Sequence, residues 1–86
     1  MPIRRPVRRK NALLCQIFGT RIRALRKKKD WTLEELAHYA GIHVTYLSGL
    51  ERGRRNPTLI VISRLAVALG VPFLELFAGI RPVKSK

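Results

Sequence analysis

The chain has 86 residues, which is enough for one small domain and too few for a second. Hydrophobic residues make up 47% of it, as in an ordinary globular chain, and no apolar run approaches the roughly 20 residues that a membrane-spanning helix needs. Eighteen lysines and arginines against 5 acidic residues give a formal net charge of +13, and Cys15 is the lone cysteine, which excludes an internal disulfide and a thiolate metal cluster.

The charge is unevenly placed. Residues 1–29 hold 11 of the 18 basic residues and none of the acidic ones. Such a polycation draws phosphate backbones to itself by releasing condensed counterions, so nucleic acid is the partner the composition implies. An anionic membrane is the rival reading. It requires a wide apolar face opposite the charge, and here a core claims the apolar residues. A domain does not need +13 merely to stay in solution.

Residues 1–11 carry two prolines and five basic residues with little to bury, which reads as a basic flexible arm. It is either an unbound tail or a strand of positive charge whose Arg4, Arg5, Arg8 and Arg9 follow a DNA groove. Gln16 interrupts the apolar stretch that follows and Gly19-Thr20-Arg21 is a poor cleavage context, so a signal peptide is not expected and the cytoplasm is. Apolar residues at Leu14, Phe18, Ile22 and Leu25 predict a first helix from about residue 12 to 28 with that face buried. Lys27, Lys28 and Lys29 close it, where positive charge suits either the helix dipole or a phosphate.

Thr32 followed three residues later by Glu35 is a capping box, with Trp31 placed to pack on Leu36 as a staple. The amides of that helix start also form a seat for a phosphate, which makes Thr32 a candidate contact. Leu36, Ala37 and Ala40 before Gly41, and Ile42, Leu47 and Leu50 after it, direct two short helices at one core. Gly41 is the pivot of the turn between them, since such a turn often requires positive φ. The second helix, from about residue 43 to 52, turns His43, Val44, Thr45, Ser48 and Gly49 outward. His43 reads first as a neutral helix-start residue and second as a phosphate contact; with only His38 for company it does not make a metal site. Tyr46 packs partly on the core and is given no base contact.

The loop Arg52-Gly53-Arg54-Arg55-Asn56-Pro57 offers three arginines and Asn56 at the end of that helix. Arg55 and Arg54 suit a base edge or groove, and Arg52 the backbone, since a guanidinium donates two parallel bonds to guanine or to phosphate. A fourth helix, Leu59 to Leu69, is apolar almost all round. Ile62, Leu65, Ala66 and Leu69 suffice for its inner stripe, which leaves Ile60, Val61 and Val67 surplus. With Val71, Phe73, Leu74 and Phe77 they mark a face for a second copy of the chain, unless some of them merely close the core.

Residues 18–79 resemble, in order and without an evident gap, the Cro/CI-type (XRE) family of DNA-binding domains. The resemblance rests on Arg21-Ile22-Arg23-Ala24-Leu25-Arg26 for the first helix, residues 32–53 for the second and third, and Asn56-Pro57-Thr58-Leu59 through Leu69-Gly70-Val71 for the fourth. Phe73 to Phe77 is similar to the short fifth, and residues 45–52 to small regulators such as restriction-modification controller proteins. It implies an all-α, five-helix lambda-repressor-like fold over residues 12–80, with a helix-turn-helix at helices 2 and 3 and a short basic tail at 81–86. It also implies that Arg26 pairs with Glu51, and that Val44, Thr45, Ser48 and Gly49 stand at the base-reading positions. Leu33 replaces the glutamine that the family often uses to touch the DNA backbone.

The expectation is a sequence-specific transcription regulator that binds double-stranded DNA as a homodimer, without a cofactor. An antitoxin with a protein partner and a non-specific nucleic-acid packaging protein are the alternatives. No triad, carboxylate pair, phosphate loop or metal cluster suggests an enzyme, because Glu34 and Glu35 are adjacent and diverge around their helix.

Overall fold

The computed structural model describes residues 5–78 and 80, with side chains from residue 11 onward. Among the described residues the chain forms four α-helices, α1 (Arg5–Lys28), α2 (Leu33–Ala40), α3 (Val44–Glu51) and α4 (Leu59–Leu69), then a 3₁₀ helix, Phe73–Phe77, and no strand. The class is the expected one, and the fifth element is a 3₁₀ rather than an α-helix. None of these helices is long and apolar enough to cross a membrane.

Local chemistry fixes the helix ends. The Thr32 hydroxyl accepts from the Glu35 amide at 3.1 Å, and the Thr32 amide donates to Glu35 Oε1 at 2.8 Å, completing the capping box of α2. Thr58 caps α4 in the same way through the Val61 amide. Gly41 closes α2 with φ 69°, in the left-handed region that a side chain disfavours, and α3 starts three residues later at a new angle. Trp31 stacks on Tyr39, with ring centroids 4.8 Å apart.

Ile22, Leu36, Leu47, Leu50, Leu65, Leu69 and Leu76 are fully buried where the five elements meet. Each such side chain contributes on the order of 1.5–3 kcal/mol relative to exposure. α1 begins at Arg5 instead of near residue 12, because Pro6 falls in the first turn, where its missing N–H costs no helical bond. The helix therefore overhangs the core. Leu14, expected inside, is 44% exposed with Leu13 and Ile17 beside it. Residues 1–4 of the expected arm and the tail at 81–86 lie outside the described residues.

Polar ties set the angles between helices. Arg26 of α1 makes a fork with Glu51 at the end of α3, Nε to Oε2 at 2.8 Å and Nη2 to Oε1 at 3.0 Å, while its Nη1 donates to the Trp31 carbonyl at 2.7 Å. The pair is buried, and the Glu51 carboxylate holds the Arg26 guanidinium pKa above its ordinary value. Arg21 binds the Glu75 carboxylate at 2.8 Å and its carbonyl at 3.1 Å, fastening the 3₁₀ helix to α1. Arg64 of α4 donates to the Gly41 carbonyl at 3.2 Å.

α1 crosses the end of α3 at Gly19 with no room for a side chain. A Cβ there would overlap the Leu50 carbonyl oxygen and lie 2.8 Å from that of Glu51. Both obstacles are backbone, so Gly19→Ala must part the two helices. We expect a loss of about 3 kcal/mol or more, read as a lower urea midpoint in equilibrium unfolding.

Candidate nucleic-acid interface

The turn at Gly41 and the Arg26–Glu51 fork hold α3 so that its inner face carries Leu47 and Leu50 into the core and its outer face is left to solvent. His43 is the N-cap residue, with extended backbone and no capping bond from its ring, and it is exposed. Thr45 is exposed. Val44 and Ser48 are half-buried, and Val44 lines the shallow groove between α2 and α3 with Ala37, Ile42 and His43. Thr45 and Ser48 can exchange hydrogen bonds with a base edge, and Val44 can meet a thymine methyl.

Gly49 differs from expectation. It is buried rather than open, because Arg55 lies over it. The Arg55 Cζ stands 5.7 Å from the Tyr46 ring centroid, so Tyr46, given no part in the site by the sequence, forms the platform for that arginine. Such a contact depends on the path of a long side chain nine residues downstream, and no local pattern of residues announces it.

Arg52, Arg54 and Arg55 are all exposed at the C-terminal end of α3. Arg52 folds back, its Nε 3.4 Å from the Ser48 carbonyl. The loop is pinned by backbone bonds from Gly53 to the Leu50 carbonyl at 3.0 Å and from Arg54 to the Gly49 carbonyl at 2.8 Å. Asn56 is exposed but borders a second, apolar groove with Leu14, Phe18, Phe77 and Ile80. Thr32 is exposed at the start of α2, where Glu34 and Glu35 occupy the first turn. Those carboxylates already answer the helix dipole and weaken its pull on a phosphate, whereas beyond the end of α3 the guanidinium groups themselves supply the positive charge.

The apolar face expected on α4 and the 3₁₀ helix is unevenly covered. Ile60, Val67 and Leu74 are 65%, 78% and 77% exposed, and Leu59 joins them. Phe73 is partly open. Val61, Val71 and Phe77 are half-buried against the domain's own core, so they border that face instead of forming its centre.

A helix-turn-helix family model matches residues 22–76. The HTH-type transcriptional regulator y4dJ of Sinorhizobium fredii, itself uncharacterized, is 48% identical over 61 residues, covering 71% of this chain and 79% of that protein. The control protein C.MunI of a Mycoplasma species is 36% identical over 64 residues, covering 73% and 86%. Among solved structures, the restriction-modification controller protein C.AhdI from Aeromonas hydrophila is 43% identical and superposes with a TM-score of 0.72 over 73% of this chain and 96% of that one.

Proposed function

The chain belongs to the XRE-type helix-turn-helix family of DNA-binding transcription regulators, and we propose that it binds one operator sequence as a homodimer in the cytoplasm and controls transcription by occupying it. The observation that carries this reading is the outer face of α3, where Thr45 is exposed and Val44 and Ser48 are half-buried, followed directly by three exposed arginines. In the proposed complex α3 enters a major groove. Thr45 and Ser48 bond to base edges, Val44 meets a thymine methyl, and Arg54 and Arg55 reach bases at the groove's continuation. His43, Arg52, Thr32 and Asn56 hold phosphates.

The second copy docks through Ile60, Val67, Leu74 and Phe73, with Val61, Val71 and Phe77 at the border. A two-fold axis there sets two copies of α3 against successive major grooves, about 34 Å apart. Similarity to restriction-modification controller proteins supports control of a neighbouring gene of that kind.

The net charge and the absence of Asn, Gln or Arg at positions 44, 45, 48 and 49 favour a second reading, non-specific nucleic-acid packaging. Selection from a pool of randomised duplexes, then competition against scrambled DNA at about 150 mM salt, separates the two. The operator reading requires a preference of at least roughly a thousandfold. Equal binding to both duplexes assigns the chain to packaging. Arg55→Ala is expected to weaken the selected duplex by about 1–3 kcal/mol and relax preference at one base pair. Equal losses on every sequence reduce Arg55 to a phosphate clamp.

A further inference from the structure

We infer that Gly49 is a positioning residue: having no side chain, it provides the slot in which Arg55 lies, and so sets which base the Arg55 guanidinium reaches. This rests on the proposed DNA binding and concerns how selectivity is built within it. Gly49 sits on the outer face of α3 and is nevertheless buried. A Cβ built there would stand 3.2 Å from Arg55 Cγ, 3.4 Å from Nε and 3.9 Å from Cδ, so the arginine stem fills the space where any other side chain would begin. Tyr46, three residues earlier and on the same face, carries the guanidinium at 5.7 Å from its ring centroid.

The stem on Gly49 and the cation on Tyr46 are two points of support along one helix surface. A third restrains the backbone: the Arg54 amide donates to the Gly49 carbonyl itself at 2.8 Å, anchoring the loop one residue before Arg55. Among the described residues no carboxylate engages Arg55; the two ion pairs belong to Arg21 and Arg26. Its N–H groups are therefore aimed but unoccupied. A free arginine loses much rotamer entropy when it orders on a ligand, and one already laid along α3 loses less and keeps its fork in one direction. α3 itself has little bidentate chemistry, so the direction of this guanidinium is where selectivity is concentrated.

The test compares the full-length wild type with Gly49→Ala, Arg55→Ala and the double variant. Alanine favours the helix more than glycine, so the fold is kept. The added methyl is also shorter than the stem that already covers it, so any duplex that clears Arg55 clears the methyl. The probes are the duplex enriched by the wild type from a randomised pool and a scrambled duplex of equal length. Gly49→Ala should weaken the enriched duplex roughly fivefold. It should leave the scrambled one within about twofold, and change affinity less than about twofold once Arg55 is already alanine. Without DNA, the Arg55 Hγ and Hδ resonances should show the Tyr46 ring current in the wild type and lose it in Gly49→Ala. Full multiplication of the two single losses, or identical Arg55 resonances in both proteins, overturns the inference. A wild type that enriches no sequence defeats the operator reading instead, and the resonances then decide alone whether Gly49 seats Arg55.

Discussion

Glu51→Ala is expected to cost about 3–5 kcal/mol, because it removes the carboxylate that Arg26 grips with two bonds and strands a guanidinium in a dry site. A domain of this size has a total stability of only about 5–15 kcal/mol, so the variant approaches the unfolding threshold. Thermal denaturation followed by circular dichroism should show a midpoint lower by roughly 15 to 30 °C. Arg26→Lys should lose much of the same energy, since one ammonium cannot serve both Glu51 oxygens and the Trp31 carbonyl. The control is the paired change Arg26→Met with Glu51→Leu, which leaves no unpaired charge and should regain most of the loss. If Glu51→Ala melts within a few degrees of the wild type, the fork is not what sets the pitch of α3.

The second large effect concerns assembly. Ile60, Arg64 and Val67 follow one another at four- and three-residue intervals on α4, and the two apolar members are among the more exposed large hydrophobic residues described. Ile60→Lys with Val67→Lys should yield a folded monomer in sedimentation, with an unchanged circular dichroism spectrum. On the selected two-half-site duplex, affinity should fall at least roughly a hundredfold, because the second half-site is no longer bound intramolecularly. The sign is diagnostic. Two added positive charges strengthen attraction to any duplex, so a fall on this one cannot come from electrostatics. A variant that still sediments as a dimer removes this face from the assembly.

What the residues disclosed in advance follows the range of the forces involved. The capping box at Thr32 and Glu35, the turn at Gly41 and the inner stripe of Ile62, Leu65, Ala66 and Leu69 depend on neighbours within one or two helical turns, and all are present. The Arg26–Glu51 fork joins residues 25 apart, and only family likeness brought it to view. α1 starts earlier than expected because prolines and clustered charge read as unfolded chain, whereas Pro6 is compatible with a first turn. Leu14 went outward for the same reason: its helix continues beyond the core that would have covered it. Helical spacing and family likeness both place Gly49 on the open surface. Its burial comes from Arg55, whose course over α3 is set by a loop, a ring and the room left by a hydrogen atom.

The few carboxylates of this chain are largely engaged in holding it together. Glu51 is sealed inside with Arg26, Glu75 is clasped by Arg21, and Glu35 is turned back on the backbone of Thr32. Asp30, Glu34 and Glu35, gathered around the start of α2, are left among the described residues as exposed anions without a cationic partner to temper the exterior. A molecule so arranged carries a nearly one-signed field to its target. Its first encounter with a duplex should be fast, long in reach and steeply slowed by added salt, well before any base is read.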